Sequence, residues 1–150
     1  MKTVLLDTDV LVNWLAQETE SITSRKLWEA PLAIIEKIES KEIRGYVSIM
    51  SLLEIRFLLN RKFKWQSKHI NRDTSLISRL FNITIPDTTE LLRANKLQEE
   101  YPLDPFDSIL LATALSIKDC ILVSRDHKFI HIASQLTDAV TPEKALCLLN

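Results

Sequence analysis

Asp7 and Asp9 end an apolar run in LLDTDVLVNWL (residues 5–15), and apolar residues resume directly after them. A carboxylate at the margin of a core loses several kcal/mol of solvation unless something stabilises it. It must therefore cap a helix or hold a ligand. Three more acids stand at comparable points: Glu54 in SLLEI, Asp107 in DPFDSILL and Asp126 in SRDHKF. Carboxylates a few ångströms apart raise one another's pKa and oppose folding unless a cation joins them. An oxygen-only set suits a hard divalent ion, Mg²⁺ or Mn²⁺. Such ions reverse the local sign for a phosphodiester, polarise its phosphoryl oxygen and activate water for in-line attack. The chemistry indicated is metal-dependent phosphoryl hydrolysis.

Each acid also has a purely structural reading. Thr8 or Asp9 could cap the helix VLVNWL, and for Asp9 capping is the preferred reading. Ser51-Leu52-Leu53-Glu54 fits a capping box. Asp104-Pro105-Phe106-Asp107 fits a cap with Pro at the first helical position. Asp126 would be a turn residue. Asp7 resists this treatment because it continues a buried strand. Taken together, the caps would have to explain why every one of them on a single rim is acidic.

The elements that would position these residues alternate in type. Thr3–Leu6 is an unbroken apolar run, as expected of a strand covered on both faces. Val10, Leu11, Trp14 and Leu15 then follow helical spacing. Ser24 to Ile43 reads as helical, with Leu27, Ile34, Ile35 and Ile38 inward and Pro31 kinking or dividing it. Gly45–Ser48 reads as a strand, Ser51 to about Trp65 and Thr74–Leu80 as helices, and Asn82–Ile85 as a β-branched strand closed by Pro86. Asp87 heads a helix to about Gln98, with Glu90 in capping-box position. A nearly all-apolar helix from Asp104 to about Ile117 would be central and buried. Cys120–Ser124 is another buried strand, a short strand is expected near Phe129–Ile132, and a last helix follows Thr141-Pro142. The pattern predicts an α/β fold, a mainly parallel sheet with helices on both faces, as a single domain over 1–150. Ligands of such sheets bind beyond the carboxyl ends of the strands where strand order reverses. Asp7 and Asp126 both follow strands and should share that edge.

Composition narrows the function further. The 150 residues are 46% hydrophobic and 26% charged, with a net charge of -1, so any nucleic-acid binding must come from a local patch. Gly45 is the only glycine, which excludes every glycine-rich phosphate cradle. No apolar stretch reaches the roughly 18–20 residues of a membrane span, and the N-terminus is a poor signal peptide. A cytoplasmic protein with reduced Cys120 and Cys147 is expected. His127 and His131 have HxxxH spacing, but across the strand expected there, so no zinc site is assigned. From Ile55 to Arg72 there is no acid and there are six basic residues, with Phe57, Phe63 and Trp65 interleaved. Arg61, Lys62 and Lys64 are candidate RNA contacts, while the aromatics are read as facing the core or a dimer partner.

The blocks VLLDTDVLV, YVSIMSLLEI, DPFDSILLATAL and ILVSRDHKF, in this order and spacing, resemble the PIN-domain family, particularly the VapC-type toxin ribonucleases. The resemblance spans the whole chain. It implies a three-layer α/β/α fold, Mg²⁺- or Mn²⁺-dependent cleavage of RNA, homodimers, and a small antitoxin partner that inserts a segment into the active-site groove. The family's acidic set falls on Asp7, Glu54, Asp107 and Asp126, with small polar groups expected beside it at Thr8, Thr113 and Ser124. Asp7, Asp107 and Asp126 would be direct ligands, and Glu54 would position or deprotonate a metal-bound water. Asp9 departs from the frequent Asn at its position. Asp104 recurs in DPFD-type members, although capping suffices to explain it. Two alternatives remain at this stage. One is a haloacid-dehalogenase-type phosphatase, which shares a DxDx opening after a strand. The other is a PIN-like scaffold that binds RNA or protein without cutting.

Overall fold

The computed structural model describes residues 1–150. Its five strands are β1 (Thr3–Leu6), β2 (Arg44–Ser48), β3 (Asn82–Thr84), β4 (Cys120–Val123) and β5 (Asp138–Val140). They form one sheet in the order β3-β2-β1-β4-β5, and every pair is parallel. Side chains of a strand alternate between faces, which explains why β1 and β4 are apolar throughout. Val4, Leu6, Ile121 and Val123 join the core on one side, with helices α1 (Thr8–Leu15), α2 (Glu29–Glu39), α3 (Ile49–Arg61), α4 (Ser67–Leu80) and α8 (Pro142–Leu149). Leu5, Cys120 and Leu122 join the other core, with α5 (Thr88–Glu100), α6 (Pro105–Ser116) and α7 (His127–Ala133). The result is the expected three-layer α/β/α arrangement. No helix is long and apolar enough to cross a membrane.

The topology locates the site. From β1 the chain steps outward to β2 and β3, then returns to the other side of β1 with β4 and β5. Strand order therefore reverses between β1 and β4. Leu6 pairs with Val123 at the last rung, and the Asp7 N–H donates to the Val123 carbonyl at 2.9 Å, extending the ladder by one bond.

Several boundaries differ from the sequence expectations. The segment before α2 is not helical. Thr19 and Lys26 form an isolated antiparallel bridge, and α2 begins at Glu29. Pro31 thus falls in the first turn, where a missing N–H removes no intrahelical bond, and it neither kinks nor divides the helix. Ser48 caps α3 by accepting from Met50 N–H at 3.2 Å. Ser51–Glu54 is therefore not a capping box, and Glu54 lies in the second turn rather than the first. The segment Phe129–Ile132 is not a strand. It belongs to α7, capped by Asp126, with Phe129 and Ala133 buried one helical turn apart. The fifth strand is instead Asp138–Val140, three residues too short to carry an alternation signal. Cys120 and Cys147 are free thiols.

Gly45 lies in β2, where a Cβ would stand 2.6 Å from Ile38 Cδ1 and 2.9 Å from Phe81 Cδ1. The single glycine is thus a packing requirement of sheet against helix. Gly45→Ala should destabilise the protein by about 1–3 kcal/mol, the usual cost of overpacking, and Gly45→Val by more. Urea denaturation checks this, and an unchanged midpoint for both variants would contradict it.

Candidate active site

Three backbone facts bring the acids to one edge. Helices following parallel strands begin where those strands end, so α1, α3 and α7 start on the rim formed by β1, β2 and β4. Asp7 occupies the junction of β1 and α1. One carboxylate oxygen accepts from Thr8 N–H at 2.7 Å, and the other accepts from Ser124 Oγ at 2.8 Å. Ser124 is fully buried at the end of β4, and its own N–H donates to Val140 O at 3.1 Å. The α1 cap is therefore Asp7, not Asp9.

Asp9 points across the switch point instead. Its Oδ2 accepts from Arg125 N–H at 3.1 Å and lies 3.4 Å from Ser124 Oγ. One hydroxyl proton cannot serve both acids at once, and the shorter contact goes to Asp7. Asp9 Oδ1 is buried with no hydrogen-bond partner. Sequence reasoning passed over Asp9 as a cap. The available signal is that Asp7 directly follows β1, which makes Asp9 the second residue of the helix, inside its first turn.

The remaining acids arrive from three further segments. Glu54 on α3 accepts from Thr8 Oγ1 at 3.0 Å. Asp104 caps α6 by accepting from Asp107 N–H at 2.8 Å, with Asp107 in the first turn. Asp126 caps α7 through Oδ1, which accepts from Phe129 N–H at 3.1 Å, while its own N–H donates to Ser124 Oγ at 3.1 Å. A narrow cleft between α3 and α6 is lined by Asp7, Ser48, Ser51, Glu54, Phe106 and Asp107, among others.

These carboxylates act on one another. Burial raises the Asp107 carboxyl to about 7, and the charges of Asp104, Asp7, Asp126 and Glu54 push in the same direction. Asp9 is likewise raised to about 7, by burial and then by Asp7. Burial also raises Asp7, with Ser124 and Thr8 pulling back and Asp126 and Asp104 adding to the rise. Glu54 is raised by burial and by Asp7 and Asp104, against the Thr8 hydrogen bond. Arg125 does not neutralise the group. Its guanidinium faces away, donating to Glu143 at 2.9 and 3.1 Å, to Leu27 O at 2.7 Å and to Asn13.

A metal fits this donor set. It offers only hard oxygens, an excess of negative charge, and a buried Asp9 oxygen that nothing else satisfies. The side chains do not, however, close into a ready-made cage of three or more ligands. Bringing them together requires the cation that would offset their repulsion.

Other residues lie elsewhere. Thr8 and Ser124 stand beside the acids, but Thr113 does not. Its hydroxyl donates to Glu90 at 3.2 Å, joining α6 to α5, and Ser116 donates to the same carboxylate at 3.2 Å. Glu90 thus braces two helices, although its N–H does receive the expected cap from Asp87. His127 and His131 share a helix rather than crossing a strand, are exposed, and belong to no metal-binding group. At the end of α3, Lys62 pairs with Glu18 at 3.3 Å and lies over the Phe63 ring. Arg61 lies over Phe57, and Lys64 sits in the following turn at φ 57°. Phe63 and Trp65 pack against the core as expected, whereas Phe57 is 61% exposed.

Comparison with known proteins agrees with the fold. No curated protein matches the chain in sequence. A protein from Pyrobaculum aerophilum shares the fold with a TM-score of 0.64 at 17% identity, over 99% of this chain and 89% of that one. VapBC-1 from nontypeable Haemophilus influenzae shares it with a TM-score of 0.63 at 17% identity, over 94% and 98%. The PIN domain model matches residues 4–135. With the four acids brought by separate segments to the β1/β4 switch point, the chain belongs to the PIN domain family.

Proposed function

We propose that this protein is a Mg²⁺- or Mn²⁺-dependent endoribonuclease, the toxin of a toxin–antitoxin pair. The observation that supports the reading is the gathering of acids at the sheet's switch point: Asp7, Glu54 and Asp107 line one cleft, and Asp126 shares Ser124 with Asp7. Asp7, Asp107 and Asp126 would hold the ion, and the unsatisfied Asp9 oxygen adds a further donor. Once bound there, such an ion would supply the positive charge that the phosphodiester needs to approach these acids and be polarised. Glu54 orients the attacking water and accepts its proton, a role suited to a carboxyl raised by burial and held by Thr8. Water oxygen joins phosphorus, the bond to the leaving ribose oxygen breaks, and that oxygen takes up a proton. Ser124 serves as a positioning residue that fixes Asp7.

Partners follow from the same reading: RNA as substrate, a small antitoxin, and a second copy of the chain in a cytoplasmic homodimer. The likeness to VapBC-1 supports the antitoxin. Arg61 and Lys64, which form no ion pair, remain candidate RNA contacts, with Lys62 reached only by releasing Glu18. Family membership takes the place of the haloacid-dehalogenase alternative. The non-catalytic scaffold remains the alternative, because a fold of this kind can hold the same acids without cutting.

Cleavage of an RNA pool by the wild type and by Asp107→Asn separates the two readings. Activity should require Mg²⁺ or Mn²⁺, vanish with EDTA, and fall by roughly 100-fold or more in Asp107→Asn. Metal-dependent cutting that survives in Asp107→Asn would overturn the assignment, and a wild type that never cuts would favour the scaffold.

The raised carboxyls also set a pH dependence. Their unfolded forms lose protons near 3.8, whereas Asp9 and Asp107 in the fold hold theirs to about 7. The native state therefore binds more protons in that window, so metal-free stability should fall as pH rises from about 4 to 7. Asp107→Asn should restore on the order of 1–2 kcal/mol at pH 8 and weaken the Mg²⁺-induced rise in Tm. Thermal melts with EDTA or Mg²⁺ test this, and a metal-free Tm that climbs with pH would contradict it.

A further inference from the structure

The most one-sided surface outside the acidic rim belongs to the α3–α4 hairpin. From Ile55 to Pro86 the chain carries seven of its nineteen Lys and Arg residues and a single acid, Asp73. All seven basic residues are exposed, whereas Asp73 is only 7% exposed. Its oxygens lie 3.6 Å from Arg72 Nε and 3.7 Å from His69 Nε2. A chain with a net charge of -1 thus carries a locally positive segment here, because nearly all of its acids lie elsewhere.

On α4 the basic residues are ordered. Lys68, Arg72, Ser75 and Arg79 follow spacings of four, three and four, which forms one stripe along a helix. Ile70 and Ile77 occupy the buried side. Beside the stripe runs an open groove lined by Leu52, Arg72, Thr74, Ser75, Ser78 and Arg79. No carboxylate lines it. The Thr74 hydroxyl donates to Ile70 O at 3.0 Å, and that of Ser78 donates to Thr74 O at 2.9 Å. The Arg79 guanidinium and the Ser75 hydroxyl remain as outward donors, and Arg72, which faces Asp73 through its Nε, adds its terminal amino groups.

That chemistry suits a chain of phosphates. A membrane surface fits poorly, because α4 exposes no large apolar side chain to enter the lipid. A folded acidic partner would need apolar anchors at the centre of its interface, and the groove offers only Leu52. The groove is also close to the acids. Helix α3 gives Leu52 to the groove and, on another side, Ser51 and Glu54 to the cleft holding Asp7 and Asp107. Helix α3 lies between the two, about 10–12 Å across with its side chains.

We infer that Arg72 and Arg79, with Ser75 between them, form a rail for the phosphate backbone of the RNA strand, across helix α3 from the bond cut at the acidic rim. The inference rests on the nuclease reading above and adds to it a binding surface on α4, away from Arg61, Lys62 and Lys64.

Fluorescence anisotropy with a labelled single-stranded RNA of mixed sequence tests it, using Asp107→Asn as the background to prevent cutting. Between about 50 and 200 mM KCl, adding Arg72→Ala and Arg79→Ala should flatten the slope of log affinity against log salt by about 1.4, at about 0.7 per phosphate contact. Arg72→Lys with Arg79→Lys should keep most of the slope. An unchanged slope overturns the rail. So does an equal loss from Lys96→Ala with Lys118→Ala, which removes the same charge from the α5–α6 side. Loss of binding to phosphatidylserine vesicles in place of RNA also overturns it. Cleavage of the same RNA by the protein with Asp107 intact is measured alongside. Cutting with an unchanged slope refutes the rail alone, whereas a flattened slope without cutting refutes the nuclease reading and leaves the rail standing.

Discussion

Repulsion among carboxylates is the constraint around which this fold is organised. Asp7, Asp9, Glu54, Asp107 and Asp126 come from four stretches of chain, yet burial and mutual charge raise four of these acids together. The sheet tolerates this because its strongest feature, the fully buried β1–β4 pair, ends at the same point. The ladder extends past Leu6 to the Asp7 N–H, and Ser124 ties Asp7 Oδ2 to the neighbouring strand. The charge is thus fixed in place by backbone bonds and one buried hydroxyl, not by a nearby cation of the protein.

Helix termini supply the rest of the tolerance. Asp7, Asp104 and Asp126 each cap a helix, and Asp107 sits in a first turn. Unpaired N–H groups and the positive end of the helix dipole favour negative charge at all these points. A carboxylate has two oxygens, so capping and ligand binding need not compete. Asp126 caps with Oδ1 only, and the N–H bonded to Asp104 is that of Asp107 itself. The structural and functional readings of these acids describe the same side chains.

Much of this was legible in the sequence, for definite reasons. Unbroken apolar runs in β1 and β4 announce strands covered on both faces, and four acids after strands or at helix starts announce one rim. The failures have definite causes too. FIHI looks β-branched, but the Asp126 cap and the one-turn spacing of Phe129 and Ala133 make it a helix. The N-terminal half of α4 is polar, with Ile70 its one buried apolar residue and Asp73 buried beside it, so its apolar periodicity is too weak to read. Thr113 and Glu90 found each other across two helices, a contact that no local pattern encodes. Asp9 was taken for a cap because two acids compete for one helix start, and which one wins depends on where β1 ends.

Charge is divided along the chain as well as gathered at the rim. The acidic edge and the basic α3–α4 hairpin share helix α3, so one element connects a site that repels phosphate when empty to a surface that attracts it. Under the proposed function a divalent ion decides whether the rim accepts a phosphodiester. Anomalous diffraction from crystals soaked in Mn²⁺ tests that claim most directly. The account predicts a peak between Asp7, Asp107 and Asp126, with their carboxylates drawn inward. Crystals with ordered acids and no peak there would contradict it, as would a peak only at some other position.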